Sequence, residues 1–243
     1  MIEENFIEKN PHRLAIIPAR GGSKRIPGKN LVDICGFPII NYPIETAIAS
    51  NLFHEILVSS DDEEILNHVK RLGDISTSQR PKELSGDHAT IYSTLRHEYM
   101  LKKKNGINYD EIWLISATAC LVCEDDLFEL STAFQNSTSA TSMLAVTEYE
   151  VPVQWAMSIN DQGKLKSLDF ASFKNRSQDL EKFYHDAGCL AIFSGSVFDT
   201  YEDGVPEGEF EAYVLNRSRA VDIDYPEDLE LVRALMSRKK KLL

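Results

Sequence analysis

Three largely apolar runs constrain the fold of this chain more than any other feature: Leu14-Ala-Ile-Ile-Pro-Ala19, Glu55-Ile-Leu-Val-Ser-Ser60 and Glu111-Ile-Trp-Leu-Ile-Ser116. Each has the length of a strand and lacks the polar–apolar alternation of a strand with one face in water. Such strands need cover on both faces, which a parallel sheet between two helical layers supplies. Segments of helical spacing separate them. Pro38 to Ser50 carries early prolines suited to a first turn. Asp61-Asp-Glu-Glu64 puts acids in the first turn of a helix reaching about Leu72. A helix over Thr90 to Lys103, with Asp87 or His88 near its start, precedes the third run, and one over Glu124 to Gln135 follows it. Met143-Leu-Ala-Val146, Leu190-Ala-Ile-Phe193 and Arg219-Ala-Val-Asp-Ile-Asp224 read as further strands, and a closing helix starts at Pro226. The expected class is α/β with a mostly parallel sheet. From Glu148 to Tyr184 the rhythm breaks: Gln154 to Ser158 and Lys164 to Leu168 flank the polar turn Asn160-Asp-Gln-Gly163 as a hairpin. This segment is expected to project from the sheet as an insertion.

The chain has 243 residues, enough for one large domain with a closed core. Its formal net charge is −12, so a face that neutralises a nucleic-acid backbone is not expected. The basic tail Arg238-Lys-Lys-Lys241 reads as a solvated helix end. No stretch approaches the ~20 apolar residues of a membrane helix. Met1-Ile-Glu-Glu-Asn-Phe6 lacks the layout of a secretion signal, so a cytoplasmic protein is expected. Cys120-Leu-Val-Cys123 is a lone C-x-x-C pair without a second pair to complete a zinc site. Reduced thiols are the expectation for it, with Cys35 and Cys189.

Against that acidic background, Arg20-Gly-Gly-Ser-Lys-Arg-Ile-Pro-Gly-Lys-Asn30 holds four basic residues and no acid, directly after the first strand. The spacing excludes two common phosphate loops. A dinucleotide loop needs G-x-G-x-x-G, but Gly21 and Gly22 are adjacent and Gly28 is distant. A Walker A loop needs four residues between its glycines and Ser/Thr after its Lys; here five separate Gly22 from Gly28, and Asn30 follows Lys29. What remains is a different cradle. Backbone N–H groups around Gly21, Gly22 and Ser23 can form a nest, and Arg20, Lys24 and Lys29 can neutralise a leaving polyphosphate. Far along the chain stands Asp222-Ile-Asp224. In an extended segment both carboxylates share a face while Ile223 packs inward. Two hard oxygen ligands suit Mg²⁺ together with substrate phosphates. Asp224 could equally cap the helix beginning near Pro226, and the two readings are compatible. Arg80-Pro-Lys-Glu-Leu84 and Asp87-His-Ala-Thr90 form a loop into a helix, and Ser116-Ala-Thr-Ala-Cys120 lies past a strand, where open α/β sheets bind ligands. The segment Arg176 to Gly188 is dense in Arg, Gln, Tyr, His and Asp, and Arg176 could grip a carboxylate.

Together these residues resemble the acylneuraminate cytidylyltransferase family, the CMP-sialic acid synthetases. The family's opening signature, I-P-A-R-G-G-S-K-x-I-P-x-K-N, is matched by Ile17 to Asn30, with Arg25 and Gly28 at the variable points. Its R-P-x-E-L loop is matched by Arg80 to Leu84, and its D-I-D segment by Asp222 to Asp224. The likeness runs from about His12 onward. Arg176-Ser-Gln-Asp-Leu-Glu-Lys-Phe-Tyr-His-Asp-Ala-Gly188 and Val151-Pro-Val-Gln154 look most like the pseudaminic acid branch. Two departures stand out: Gly28 where relatives often have Arg, which implies a phosphate contact that is missing or supplied by Arg25, and Cys120 where they often have Pro.

The resemblance implies a Rossmann-like nucleotide-diphospho-sugar transferase fold, a GT-A-like three-layer sandwich with a mostly parallel sheet. Residues 1–243 would be one domain, with 148–184 an inserted dimerisation and sugar-binding segment. The implied reaction joins CTP and a nine-carbon α-keto sugar acid such as pseudaminic acid, giving the CMP-sugar and pyrophosphate with Mg²⁺. Arg20, Lys24, Lys29 and Asp224 would be catalytic, and Asp222 and Asp224 would hold the metal. Ala19, Gly21, Gly22, Ser23, Asn30, Arg80, Asp87, Ala117 and Thr118 would surround the nucleotide. Arg176, Gln178, Tyr184 and His185 would recognise the sugar, His185 being one candidate base beside a metal-bound oxygen. A homodimer is implied as well. Legionaminic or N-acetylneuraminic acid are alternative substrates. A nucleotide-binding domain without catalysis is a more distant alternative, disfavoured by the joint retention of Lys29, Asp222 and Asp224.

Overall fold

A computed structural model of the chain describes residues 11–86, 89–200 and 210–240. In chain order the elements are β1 (Arg13–Pro18), the two-residue strands β2 (Asp33–Ile34) and β3 (Phe37–Pro38), α1 (Asn41–Ser50), β4 (Glu55–Ser60), α2 (Glu63–Val69) and β5 (Ser76–Gln79). They continue with α3 (Ile91–Lys104), β6 (Glu111–Ile115), α4 (Glu124–Asn136), β7 (Ser142–Glu148), β8 (Met157–Ile159) and β9 (Leu165–Ser167). β10 (Tyr184–Ser194), α5 (Val197–Thr200), β11 (Glu211–Val214) and α6 (Pro226–Lys240) complete the described chain. No described helix is long and apolar enough to cross a membrane.

Seven strands form one sheet in the order β11-β7-β10-β6-β1-β4-β5. Neighbours are parallel except at β10, which runs antiparallel to both β6 and β7. The mostly parallel α/β sheet expected from the apolar runs is therefore present. Successive side chains of a strand point to opposite faces, and both faces of the central strands are buried. Ala15 and Ile17 of β1, with Trp113 and Ile115 of β6, pack under α1, α2 and α4. Leu14 and Ile16, with Ile112 and Leu114, pack under α3 and α5. This is the three-layer arrangement. Arg13 and Glu111, register partners on β1 and β6, are an ion pair at 2.8 Å with both side chains buried, and Trp113 Nε1 donates to the same carboxylate at 3.0 Å. Burying both charges costs solvation, which the two donors to the carboxylate offset in part, and the pair bridges the two strands that frame the site.

Three strand expectations need correction. Arg219 to Asp224 joins no ladder; the last strand is β11, beside β7. The Val-Asp-Ile-Asp alternation is real, but it reflects a segment lying against the loops after β1 and β6, with Ile223 fully buried beneath. β10 begins at Tyr184, earlier than the apolar run at Leu190, and its pairing with β7 shifts register between Asp186 and Ala191. β5, Ser-Thr-Ser-Gln, was not expected because an edge strand needs no apolar face pair. Between β7 and β10 the chain leaves the sheet, and β8 and β9 pair only with each other.

Candidate active site

The sheet's topology fixes where a site can form. From β1 the chain moves to β4 and β5 on one side, then returns to β6 on the other. Loops leaving β1 and β6 at their carboxyl ends thus diverge and leave a crevice, the place where open α/β sheets bind ligands. A cleft of about 610 Å³ lies there. Its walls come from the loops after β1, β5 and β6, the start of α3, the turn in β10 and the Asp222–Asp224 segment.

The basic loop is built by tight local bonds. Ala19 is buried in the core, and its N–H extends the ladder to Ser59 O at 2.9 Å. Gly21 N–H donates to Asp61 Oδ1 at 3.0 Å, and Ser23 N–H to Gly21 O at 2.9 Å. These two backbone donors are thereby committed, and Gly21 and Gly22 do not line the cleft. Side chains, rather than a backbone nest, face it. Gly21 is required by contact: a Cβ there would sit 2.6 Å from Asp62 Oδ2 and 2.8 Å from Asp62 Cβ. Asp62 cannot withdraw freely, since its carboxylate caps α2 through Glu64 N–H at 2.8 Å. Asn30, buried, closes the loop by donating from Nδ2 to Arg20 O at 2.9 Å. Gly28 has φ +64°, the left-handed region that favours glycine, and turns the chain so that Lys29 re-enters the cleft.

Lys29 joins the two distant motifs. Its Nζ donates to Ile223 O and lies 3.5 Å from Asp224 Oδ1. Arg25 Nη2 lies 3.0 Å from the same oxygen, with its guanidinium 4.9 Å over the Tyr225 ring. Asp224 does not serve as the cap of α6. That task falls to Asp228, whose Oδ2 accepts from the N–H groups of Asp224 at 2.8 Å and Tyr225 at 2.7 Å. Both carboxylates face the cleft while Ile223 enters a buried cluster with Ile26, Ile34, Ile39, Cys120, Leu229 and Val232. That cluster supports the basic loop and the aspartate segment from one side. Cys120, at the position that departs from relatives, is a buried packing residue there, its thiol pushed up to about 12 by burial.

Asp222 is pushed above the ordinary carboxylate value, first by the protein packed around it and then by Asp224 nearby, with Lys29 opposing. The side chain nevertheless remains exposed to solvent. A carboxylate pair in which one member is held at a cost for its charge suits a hard cation. Among the described residues no group of three His, Cys, Asp or Glu could hold a metal alone. Alone the pair offers two carboxylates, the number of protein ligands a hard cation such as Mg²⁺ takes when other oxygens complete its shell.

On the opposite wall Arg80 is buried, donating from Nη2 to Ser59 O at 2.6 Å and from Nε to Ser59 Oγ at 3.3 Å. Burial lowers its pKa, against Asp61 and Glu98, yet a guanidinium stays charged. Ser116 Oγ and Thr118 Oγ1 are 2.9 Å apart, bracing the Ala117–Thr118 turn that lines the cleft. Thr90 caps α3 by accepting from Ser93 N–H at 3.1 Å. The N-terminal end of this 14-residue helix faces the cleft through Thr90, Ile91 and Thr94, which favours an anion.

The structure thus brings together Arg20, Ser23, Lys24, Lys29, Asn30, Arg80, Ala117, Thr118, Asp222 and Asp224. Asp87 lies outside the described residues. Arg176, Gln178, Tyr184 and His185 do not line this cleft. Arg176 forms a two-point ion pair with Asp179, at 2.7 and 3.2 Å, on the surface of the projecting segment. Gln178 lines a smaller pocket of about 310 Å³ at that segment's base. Tyr184 is exposed, and His185 lies 2.8 Å from Asp186 O with its ring against Tyr149 at 4.8 Å. Sequence reasoning raised Arg25 only as a substitute for a contact missing at Gly28, and the cleft does include it. It did not assign Ser85, Gly86, Thr94 or Gly188 to the site. Gly188 was not findable, because only the turn of β10 carries it to the cleft.

A sequence profile described as cytidylyltransferase matches residues 14–242. The chain belongs to the cytidylyltransferase family. Among curated cytidylyltransferases, the pseudaminic acid cytidylyltransferase of Campylobacter jejuni is 38% identical over 222 residues, covering 91% of this chain and 95% of that one. The CMP-N,N'-diacetyllegionaminic acid synthase of Legionella pneumophila is 26% identical over 237 residues, covering 95% and 98%. Among solved structures, a CMP:2-keto-3-deoxy-manno-octonic acid synthetase complexed with CTP superposes with a TM-score of 0.67 at 18% identity, over 94% of this chain and 99% of that one. That likeness carries the fold, and the profile match with the 38% identical relative carries the family.

Proposed function

We propose that this cytidylyltransferase works in the cytoplasm and transfers the CMP group of CTP to pseudaminic acid, releasing pyrophosphate. The observation that supports it is charge. Five cations (Arg20, Lys24, Arg25, Lys29 and Arg80) and two carboxylates meet in one cleft, while the whole chain carries −12. That local surplus of positive charge attracts an anionic polyphosphate, and the 38% identical relative supplies the sugar. The anomeric hydroxyl oxygen attacks the α-phosphorus, the bond to the β-phosphate oxygen breaks, and the hydroxyl proton is lost. Arg20, Lys24, Arg25 and Lys29 bind and orient the triphosphate and stabilise the charge that collects on pyrophosphate. Arg80 and the Ala117–Thr118 turn lie where cytosine and ribose fit. Asp222 and Asp224 would hold Mg²⁺, which supplies charge neutralisation at the reacting phosphate.

The projecting segment is assigned to homodimer formation and to the sugar. Ile159, Leu165, Leu168 and Phe170 on it are 63% to 76% exposed, a density of uncovered apolar surface typical of an interface. A partner copy is the route by which Arg176, Gln178, Tyr184 and His185 would reach the sugar end of a cleft. The test is pyrophosphate release from CTP and Mg²⁺ with pseudaminic, legionaminic and N-acetylneuraminic acids in separate reactions. Fastest release is expected with pseudaminic acid. Faster turnover of another acid reassigns the sugar, and no release with any of them removes the transferase reading.

A further inference from the structure

Arg25 and Lys29 raise a question of competition. Both face the cleft assigned to the triphosphate, yet both are held by one carboxylate, Asp224, at 3.0 and 3.5 Å. Asp228 in α6 holds the backbone N–H of Asp224, so the helix makes no use of the Asp224 carboxylate and leaves that side chain able to turn. The neighbouring Asp222 shares the cleft but not these two ion pairs. The stems are also unequal in freedom. Lys29 is additionally bonded to Ile223 O, whereas Arg25 leans on the exposed Tyr225 ring and can swing.

We infer that Arg25 and Lys29 change partners on nucleotide binding, passing from Asp224 to the triphosphate, so that Asp224 becomes available to a cation only once the nucleotide is in place. Arg25 is thereby assigned as a further substrate-contacting residue, and the order is nucleotide first. The inference rests on the triphosphate binding at these cations, as proposed above. Its physical basis is exclusive: a guanidinium or ammonium spent on a carboxylate is not fully available to a phosphate, and the two anions repel each other at short range.

The test uses CTP binding by the full chain in EDTA, followed by calorimetry, so that neither metal nor turnover enters. Asp224→Asn removes the competitor and is expected to tighten CTP by about three- to tenfold, since exposed ion pairs contribute up to ~1 kcal/mol each and ~1.4 kcal/mol is tenfold. Asp222→Asn removes the same charge from the same cleft and lessens the field on Lys29 while leaving both ion pairs to Asp224 in place, and is expected to tighten CTP less. Arg25→Gln is expected to weaken CTP, and to weaken it more in the Asp224→Asn background than in the parent, because in the parent part of the phosphate contact replaces a lost contact to Asp224. Equal effects of the two aspartate substitutions, or equal effects of Arg25→Gln in both backgrounds, overturn the exchange while leaving the nucleotide site intact. Absence of CTP binding to the parent, with and without magnesium, overturns the nucleotide reading itself.

Discussion

The cleft and the projecting segment are built on opposite plans. In the cleft, charged side chains stand on a buried base. Arg80 is anchored to Ser59, Asn30 to Arg20, Lys29 to Ile223, and a cluster of apolar residues lies beneath. In the projecting segment the apolar side chains are outside, and the internal ties are polar. Trp155 Nε1 donates to Ser172 O at 3.1 Å, Gln154 Nε2 to Glu181 O at 2.9 Å, and Ser172 Oγ to Asp169 Oδ2 at 2.5 Å. A lone two-stranded hairpin such as β8–β9 is marginal in water. The difference teaches a division of labour. The charged wall of the cleft is braced within one chain, whereas the segment needs cover and is suited to binding a second surface.

If that division holds, substitutions in the two regions should move different constants. The largest effect is expected from Lys29→Ala or Lys24→Ala, which should cut kcat by about 10²- to 10³-fold, the cost of removing one preorganised charge from a transition state. Unchanged CMP-sugar formation would remove the phosphate role. Asp224→Asn should shift the magnesium titration of activity to at least roughly tenfold higher concentration; a titration that overlays the parent's would return Asp224 to a structural role. Arg176→Ala should leave kcat and the KM for CTP near the parent's and raise the KM for the sugar acid by roughly tenfold, the equivalent of ~1.5 kcal/mol for a lost charged hydrogen bond. A fall in kcat instead would place Arg176 with the reacting atoms and break the comparison.

How much of this was legible depended on burial. β1, β4 and β6 announce themselves because strands covered on both faces must be apolar throughout. β5 is edge and polar, so its Ser-Thr-Ser-Gln carries no such signal. The reversed direction of β10 was also invisible, since side-chain alternation is the same in both directions. Val221-Asp-Ile-Asp224 looked like a strand because alternation reports which side chains are buried, not whether the backbone joins a ladder. In the site, residue types and loop position identified the cations and the aspartates. Their contact across 195 positions, and the sharing of Asp224 between Lys29 and Arg25, come only from the way Ile223 seats in its cluster. The residues proposed for the sugar were grouped through the family resemblance; Arg176 and Gln178 lie on the projecting segment and Tyr184 and His185 at the start of β10, and none of them lines the cleft of its own chain.

The smallest expected effect gives the sharpest contrast between the two regions, because it reads both in one molecule. Phe170 is 76% exposed and Cys120 is 6% exposed, with its thiol pushed up to about 12. In Phe170→Cys protein at pH 8, Cys120 should stay unalkylated at every protein concentration, since both thiolate and access are lacking. The thiol introduced at 170 should react quickly in dilute protein and more slowly as concentration rises, because pairing of two copies covers it. Peptide mapping after a short pulse of iodoacetamide separates the two positions. A rate at 170 that ignores concentration would mean that the apolar face is not closed by a second copy, and the segment's share in the sugar site would then have to come from within one chain. Alkylation of Cys120 in folded protein would show that the cluster beneath the cleft opens, and the rigid half of the comparison would fail.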